Sequence, residues 1–333
     1  MLKDFWAKYR KNTLAVIGLL FIGLCTVIAI LGYWVTPDSS YACNTQHVEM
    51  GRKPPGYVAT IVQGSSDRES VFTTLLHGHA ATQELFLYGS DGDTAYSNLI
   101  HNQTNATLDT KRFVLGSDIF GRDVLSRVLL GTRVSLSVGF ISVLISLVLG
   151  VSLGLAAGYY KGRVDDVVMW LINVIWSLPT LLLVVAITFA MGKGFWQIFV
   201  AVGLTMWVEL ARVVRGQVFS LREMEYVQAA KMLGFSNIRI MFKHILPNCI
   251  GPIVVICAAN FASAILLEAG LSFLGLGVQP PFPSWGQMLS ENADYIALGS
   301  PHLALAPGVA IMLLVMSFNF VGNGLRDAFD VKL

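Results

Sequence analysis

Long apolar runs separated by shorter polar stretches dominate this chain of 333 residues. A helix needs about 20 apolar residues to cross the roughly 30 Å hydrocarbon layer of a membrane. Four runs carry no charged residue and two more end at a single acid; the six are 13–35, 134–160, 167–192, 194–208, 248–267 and 303–325. The pattern predicts an all-α polytopic membrane protein with six transmembrane helices, the fourth continuing towards Val214.

The distribution of lysine and arginine predicts how these helices are oriented. Six spans place both ends of the chain on the same side, and short cytoplasmic loops carry an excess of basic residues. Such residues cluster before the first span and at every second connection: Lys3, Lys8, Arg10, Lys11, Lys161, Arg163, Arg212, Arg215, Arg222, Lys231, Arg239 and Lys243. We therefore expect both termini in the cytoplasm.

Composition agrees with a membrane protein and adds little about chemistry. Hydrophobic residues make up 54% of the chain and charged residues 13%, against about 25% charged residues in soluble domains. The net charge of +2 gives no indication of nucleic acid as a partner. The four cysteines show no CxxC spacing, so the sequence predicts neither a disulfide framework nor a metal site.

A long polar segment separates the first two predicted spans. We divide the chain into four parts: a cytoplasmic tail with the first helix, a soluble extracytoplasmic insert with an interfacial helix, a five-helix core and a final cytoplasmic tail. Their bounds are 1–35, 36–127, 128–326 and 327–333.

Inside the insert, "YVATIV" and "ELFLY" have the pattern of strands, and a folded subdomain and an unstructured insert both stay open. Its histidines, His47, His77, His79 and His101, show no spacing typical of metal ligands.

The end of the insert predicts an amphipathic helix. Within 116–140, Phe120, Val124 and Val128 recur at helical spacing, and charged residues such as Arg122 and Asp123 occupy other positions. This pattern is typical of a helix that lies at the membrane interface. We expect it on the outer surface, leading into the second span.

A polar stretch at 225–248, "EYVQAAKMLGFSNIRIMFKHILPN", lies between the fourth and fifth predicted spans. Ser220 followed by Glu223 forms an S-x-x-E capping box. The box predicts a helix that starts near Leu221, and good helix formers follow it.

The second half of this stretch predicts a turn and a return helix. Gly234 stands where a left-handed residue ends a helix, Ser236 can cap a second helix, and Pro247 marks its end or the entry to the fifth span. Such a helix pair suits docking in a groove of another protein. Packing on the chain's own helices is the alternative, and the pattern leaves both open.

The same stretch resembles the EAA loop of ABC-importer permeases, written E-A-A-x3-G-x9-I-x-L-P. Ala229, Ala230, Gly234, Leu246 and Pro247 match at the required spacing, whereas Gln228 replaces the first Glu and His244 replaces the Ile. Two further blocks, 116–140 and 268–289, resemble blocks of the dipeptide, oligopeptide and nickel branch. Together they cover most of the chain outside 37–112 and identify it as similar to a C-type subunit with the type I importer permease fold.

This resemblance implies a function for the chain and a set of partners. Such a permease forms half of a translocation pathway for peptides or related small solutes in the bacterial cytoplasmic (inner) membrane. Its expected partners are a B-type permease subunit in a heterodimer, two cytoplasmic ATPases that hold ATP and Mg, an external substrate-binding protein and the lipid bilayer. The chain has no G-x4-G-K-[ST] motif, so we expect it to be a permease and not an enzyme, with no cofactor of its own.

The resemblance also assigns the coupling loop at 215–247, which is expected to dock in a cleft of the ATPase. The candidate coupling residues are Glu225, Tyr226, Gln228, Ala229, Ala230, Gly234, His244, Leu246 and Pro247. Because Gln228 lacks the charge of the usual Glu, we expect docking to depend on the alanine pair and Gly234.

Two acids in or near the spans are candidates for the pathway or its gate. A charge inside the membrane faces the bundle or a wet cavity. Glu209 precedes Arg212 by three residues, which favours an ion pair. For Glu268, a structural hydrogen bond and a role in the gate are both open. Prolines at 179 and 307 predict kinks.

A secondary transporter and a membrane scaffold are the alternatives from other classes. A secondary transporter needs several intramembrane charges or broken helices in paired halves, and this sequence has two lone acids and no internal repeat. A scaffold has no need of a docking loop.

Overall fold

The computed structural model describes residues 2–63, 70–73, 107–192 and 194–329. The expected strand "ELFLY" and His77, His79 and His101 lie outside these ranges. The helices are α1 Leu2–Tyr9, α2 Thr13–Leu31, α3 Val124–Tyr160, α4 Gly162–Trp176, α5 Thr180–Met191, α6 Phe195–Leu221, α7 Glu225–Met232, α8 Asn237–Ile240, α9 Leu246–Phe273, α10 Trp285–Asn292 and α11 His302–Phe329. The strands are β1 Tyr57–Gln63, β2 Ser70–Thr73 and β3 Thr107–Phe113.

The described helices account for the six predicted spans. Five continuous helical segments, carrying α2, α3, α6, α9 and α11, are long and apolar enough to cross a membrane. The third predicted span, 167–192, corresponds to the pair α4 and α5, which are apolar and long enough only together and meet at a bend of 95°. Pro179 adopts an extended backbone with ψ 122° immediately before α5, and a proline also disfavours helix at the residue before it. Pro307, in contrast, lies inside the single helix α11.

Helices α3 and α6 pack at very short range along their length. Gly150, Gly154 and Gly158 repeat every four residues on α3. A Cβ atom at Gly154 would lie 2.6 Å from the carbonyl oxygen of Ala211 on α6. Small residues at this spacing let two membrane helices approach closely, and packing is then the main attraction between them. This pair forms the centre of the bundle, with α9 against it and α2 beside α11.

A small antiparallel sheet lies at one end of the bundle, in the order β2-β1-β3. Strand β1 contains "YVATIV", so the strand expected there is confirmed. Its register with β3 pairs Tyr57 with Phe113 and Gln63 with Thr107. We call this the sheet end of the molecule.

The amphipathic helix predicted over 116–140 is present only from Val124, where it continues directly into the second span. Residues 116–123 form a loop, and α3 begins at Val124 with Asp123 as its N-cap, whose carboxylate accepts a hydrogen bond of 2.8 Å from the Ser126 amide. Asp118, Arg122, Asp123 and Arg127 are buried in the protein and do not face an interface. Arg133, further along α3, is exposed and donates to the Ala29 carbonyl at 2.8 Å. Tertiary ion pairing therefore overrides the amphipathic pattern.

The buried charges form one network that ties the loop to α10. Asp118 accepts a 2.6 Å hydrogen bond from Arg122 and lies 3.9 Å from the Arg127 guanidinium. Glu291 on α10 lies 3.2 Å from Arg122 and 3.8 Å from Arg127. Asn44 accepts hydrogen bonds from both arginines. Two carboxylates thus compensate two buried guanidinium groups, as burial of charge requires.

Helix α1 and the end of α11 lie at the end of the bundle opposite the sheet. The Phe5 ring of α1 lies 4.7 Å from the Phe329 ring at the end of α11. Asn12 donates a 3.1 Å hydrogen bond to Asp327. A Cβ at Gly251, near the start of α9, would also contact Phe329 at 3.0 Å. The polar stretch 225–248 precedes α9, so it lies at this same end.

Candidate functional site

The stretch 222–248 folds as a helical hairpin, and we use that name for these residues. Its first helix, α7, begins at Glu225 and not near Leu221, so the predicted capping box is wrong. Helix α6 continues through Ser220, because its inner face remains packed to the end. Glu223 instead forms a 2.9 Å ion pair with Lys161, whose hydrogen bond lowers the pKa of the Glu223 carboxyl.

Gly234 ends α7 as the sequence predicts. Its φ of +77° is in the left-handed region, where glycine pays no Cβ penalty. The Gly234 amide donates to the Lys231 carbonyl at 3.0 Å, and the Phe235 amide donates to the Ala230 carbonyl at 3.2 Å. These two bonds form a Schellman motif, which reverses the chain within two residues.

The return limb of the hairpin is continuous with the fifth span. Ser236 caps α8 by accepting a 3.4 Å hydrogen bond from the Arg239 amide, as predicted. A π-helical turn, Met241–Ile245, then leads into α9. Pro247 has no amide hydrogen and its ring excludes the carbonyl of Lys243, so the helix widens locally. Pro247 thus marks the entry to a span, one of the two positions expected for it.

One face of the hairpin packs on α3 and α6. Val227, Ala230 and Ile240 are buried against Val214 and Val218 of α6. This face anchors the hairpin to the bundle and leaves the opposite face free of the chain's own helices.

Polar contacts tighten the attachment of the hairpin to α3. The Tyr159 hydroxyl donates a 2.9 Å hydrogen bond to Asn237, and the Arg222 guanidinium donates to the Tyr159 carbonyl. Lys231 lies over the Tyr159 ring at 5.4 Å. Any displacement of the hairpin therefore acts directly on the end of α3.

The opposite face of the hairpin is apolar and exposed. The exposed fractions are 89% for Met232, 73% for Leu233, 65% for Ile238 and 54% for Phe242. Met232 and Leu233 directly precede the exposed Gly234 turn, and Ile238 and Phe242 lie one helical turn apart on the return limb. We call these four residues the apolar tip. None of these four is among the coupling residues predicted from the sequence. Apolar residues on both sides of a glycine turn, within a polar stretch, were the available signal.

The structure brings all the predicted coupling residues into this one hairpin, but on different faces. Exposed members are Glu225, Tyr226, Ala229, Gly234 and Pro247; half-buried members are Gln228, His244 and Leu246; Ala230 is buried. Gln228 donates to the Arg222 carbonyl at 3.2 Å, and His244 stacks on Phe235 with ring centres 5.7 Å apart. Ala230, Gln228 and His244 therefore hold the hairpin together, whereas Ala229 and Gly234 contribute to its surface.

Glu209 faces an open cavity between α4, α5, α6 and α9, where Trp176, Thr180 and Ser263 are also exposed. The cavity measures about 170 Å³ and is lined by residues of α4, α5, α6 and α9: Ile175, Trp176, Thr180, Leu183, Thr205, Met206, Val208, Glu209, Asn260, Ser263 and Leu267. The expected ion pair between Glu209 and Arg212 is wrong. The Arg212 guanidinium instead lies 3.5 Å from the centre of the Trp176 ring.

Glu268 lies apart from this cavity. Its side chain is 1% exposed, and it accepts a 2.8 Å hydrogen bond from Ser272 one turn along α9. Of the two alternatives for Glu268, the geometry corresponds to a structural hydrogen bond. Within the described ranges, no group of three His, Cys, Asp or Glu residues could hold a metal ion.

Comparison with known families gives two matches that together cover both ends of the chain. Residues 150–333 match the family described as the binding-protein-dependent transport system inner membrane component. Residues 1–55 match the N-terminal TM domain of oligopeptide transport permease C.

Curated relatives extend this similarity to the full length. The chain is 44% identical over 331 residues to the dipeptide transport system permease protein DppC of Bacillus subtilis, covering 99% of this chain and 86% of that protein. It is 36% identical to the di/tripeptide transport system permease protein DppC of Pseudomonas aeruginosa, over 100% of this chain and 92% of that protein. Oligopeptide transport system permease protein OppC of Bacillus subtilis is 39% identical, over 99% and 90%.

Solved structures of the inward-facing MetNI methionine ABC transporter are also similar, with 20% identity and a TM-score of 0.49, over 62% of this chain and 96% of that chain. The assignment rests on the family matches and the full-length relatives. The chain belongs to the family of binding-protein-dependent transport system inner membrane components, the permease subunits of ATP-driven ABC importers.

Proposed function

We propose that this chain is the C-type permease subunit of an importer that carries short peptides. The names of the relatives, which cover dipeptide, di/tripeptide and oligopeptide transport, support this substrate class. The chain supplies half of the pathway, and a B-type permease subunit supplies the other half. Two ATPase subunits hold ATP and Mg, and a substrate-binding protein delivers the peptide.

The observation that carries this proposal is the apolar tip of the hairpin. Four large apolar side chains are exposed on this short hairpin, and exposed apolar groups of this kind mark sites of protein interaction. The tip projects from the bundle on a helix pair that is rigidly attached to α3 and α6. A short helix with an apolar face suits a groove on a partner. We assign that groove to the ATPase.

The orientation follows from the ends of the chain. The hairpin lies at the same end of the bundle as α1 and the end of α11. This end carries the basic clusters of the sequence, including Lys8, Arg10 and Lys231, and basic residues favour the cytoplasmic side. Both termini and the hairpin are therefore cytoplasmic in this proposal, and the sheet end faces the binding protein.

ATP drives transport in this scheme by a difference in binding between two states. A partner shifts a conformational equilibrium only through its differential affinity for the two conformations. Moving a population from 1:99 to 99:1 requires about 5.5 kcal/mol. The contacts of the hairpin with Tyr159 and Lys161 transmit such a shift to the end of α3.

Leu233→Asp tests the docking role of the tip. The side chain is 73% exposed, so the substitution leaves the fold intact and places a charge in the proposed groove. We expect the ATPase subunits to copurify with the wild-type permease and to be lost from the variant, with equal amounts of permease in the membrane. Leu298→Asp is the matched control, because Leu298 is 65% exposed at the sheet end.

Retention of the ATPase by Leu233→Asp would contradict the proposal. Ala230→Asp is a poorer test, because Ala230 is 4% exposed within the hairpin's own core. A carboxylate there destabilises the hairpin itself, so loss of the partner would not distinguish docking from local unfolding.

A further inference from the structure

Glu209 lies in the middle of a membrane-spanning helix, and its carboxylate has no partner within the described part of the chain. It is the fifteenth of the 27 residues of α6, and its side chain is exposed. Among the residues that the structure describes, none forms a hydrogen bond or an ion pair with it. An ionisable group at this depth is costly and marks a functional site by default.

The surroundings of Glu209 are polar where a lipid-facing surface would be apolar. Four polar residues, Thr180, Thr205, Asn260 and Ser263, line the same cavity. Asn260 is held in place by contacts of 3.3 Å to Ser146 and 3.4 Å to the Met206 carbonyl. The cavity thus combines one negative charge with several hydrogen-bonding groups, which suits a polar solute.

The break in the third span opens at this cavity. Trp176 ends α4 and Thr180 begins α5, and both line the cavity. Non-helical backbone at membrane depth is tolerated where it is buried in protein or lines a wet cavity. Discontinuous helices also form the substrate sites of many transporters. The break between α4 and α5 and the position of Glu209 are separate observations, and both indicate a binding site at this cavity.

The nearest cation on α6 is held away from Glu209. Arg212 lies one turn further along the helix, and its guanidinium rests on the Trp176 ring at 3.5 Å. This cation–π contact stabilises the Arg212 guanidinium, although its buried Nε has no hydrogen-bond partner. Among the described residues, no cation pairs with Glu209. The carboxylate is thus available to a cation that enters the cavity.

We propose that Glu209 binds the primary ammonium group of the transported solute, such as the free amino terminus of a short peptide. An ammonium group offers three hydrogen-bond donors and one charge. Glu209 supplies the charge, and Thr205 or Ser263 supplies further acceptors. This assignment rests on the proposed function for the existence of a transported peptide, and it makes the cavity part of the pathway.

Cysteine reactivity in the assembled importer tests the proposal. Ser263→Cys places a reporter thiol in the cavity, where Ser263 is exposed. The thiol is treated with three methanethiosulfonate reagents: the aminoethyl reagent, which carries a primary ammonium group, the neutral methyl reagent and the anionic sulfonatoethyl reagent. With Glu209 present, we expect the ammonium reagent to react about tenfold faster than the anionic one after correction for their rates with a free thiol.

Glu209→Gln in the same Ser263→Cys background should abolish this preference. Asp294→Asn is the matched control, because it removes one carboxylate from an exposed site at the sheet end and should leave the preference unchanged. The parent protein without the reporter cysteine gives the background rate.

A preference that survives Glu209→Gln, or none in either protein, would overturn the assignment. The second result would also be expected if a cation of the B-type subunit paired with Glu209. Copurification of the ATPase, measured on the same samples, tests the proposed function separately. Retained ATPase with no reagent preference would refute the role of Glu209 alone, whereas loss of the ATPase from the wild type would refute the importer assembly.

Discussion

Asp118 lies between two buried guanidinium groups, and its charge is the main compensation for both. The exposed fractions of the Arg122 and Arg127 side chains are 6% and 2%. Asp118→Asn keeps the shape of the side chain but removes its charge. Breaking a buried ion pair in this way costs about 3–5 kcal/mol, so we expect the free energy of unfolding to fall by about that amount. Thermal unfolding of the purified protein, followed by tryptophan fluorescence, measures the change.

Glu223→Gln is the control for this prediction. Glu223 is also paired, with Lys161, but its side chain is 57% exposed, and exposed pairs contribute little. The unfolding temperature of this variant should remain close to the wild-type value. Similar shifts in the two variants would show that burial does not set the contribution of the Asp118 network.

The environment of Asp38, at the sheet end, predicts that the stability of the fold depends on pH. Its carboxylate accepts hydrogen bonds from the Ser40 amide at 3.0 Å and the Thr45 hydroxyl at 3.1 Å. Burial by itself would raise the pKa of Asp38, but the hydrogen bonds from Ser40 and Thr45 and the charge of Lys111 outweigh it and hold the pKa below its ordinary value.

The sign of the effect follows from the lowered pKa. The Asp38 carboxylate stabilises the fold above the unfolded-state pKa of about 3.9, and this stabilisation is lost as the pH falls through the folded-state pKa. We expect the unfolding temperature to decrease between pH 5 and pH 3 more steeply in the wild type than in Asp38→Asn. Parallel curves for the two proteins would rule out Asp38 as a contributor.

Among the elements, those set by local signals could be predicted and those set by distant contacts could not. Gly234, Ser236 and Pro247 act within a few residues, and the hairpin has the turn, cap and span entry that they predict. The loop before α3 has a helical pattern, yet its charges pair with Glu291 more than 160 residues away. The hydrophobic periodicity of the sequence does not indicate such a long-range contact.

The break between α4 and α5 also combines a feature that the local sequence predicts with features that depend on distant contacts. Pro179 predicted a kink from local chemistry, but a kink fixes neither an angle of 95° nor the cavity beside it. Those depend on α6 and α9, which supply Glu209 and Asn260 from 30 and 81 residues further along the sequence. Ala230 is the corresponding case in the candidate site. The motif identifies the residue, but the sequence does not predict that it is buried, because its burial depends on packing against other helices.

Gly234→Pro tests whether the shape of the hairpin is needed for coupling. Proline fixes φ near −65° and has no amide hydrogen, whereas Gly234 has φ +77° and donates to Lys231. The turn at the apolar tip must therefore change. We expect insertion in the membrane to be normal, with transport and substrate-stimulated ATP hydrolysis reduced to background in the assembled importer.

Gly192→Pro is the matched control for this change. Gly192 also has a positive φ, of 83°, and donates a similar bond, of 3.3 Å to the Phe189 carbonyl. It lies at the sheet end, before α6. Transport should persist in this variant, so a loss in both would indicate a general sensitivity to proline. Full substrate-stimulated ATPase activity in Gly234→Pro would show that the turn is not needed.

For the whole molecule, the positions of the two ends of the bundle lead to a test of orientation. The hairpin and α1 lie together at one end, and the sheet lies at the other. Single cysteines at Met232 and Leu298, which are 89% and 65% exposed, report on the two sides. The membranes come from cells that make the permease without the ATPase subunits, because a docked ATPase would cover Met232. Met232→Cys should then react with a membrane-impermeant maleimide in inside-out vesicles and not in intact spheroplasts, and Leu298→Cys should show the reverse.

The native cysteines give a low background for this test. Cys25, Cys43 and Cys249 are buried and Cys257 is half-buried, and burial raises the pKa of the Cys43 thiol to about 11. Since the thiolate is the reacting form, little labelling is expected at pH 7. Labelling of both introduced cysteines from the same side would be incompatible with a spanning bundle. Reversed labelling would place the hairpin outside the cell, beyond reach of an ATPase, and the coupling proposal would then be wrong.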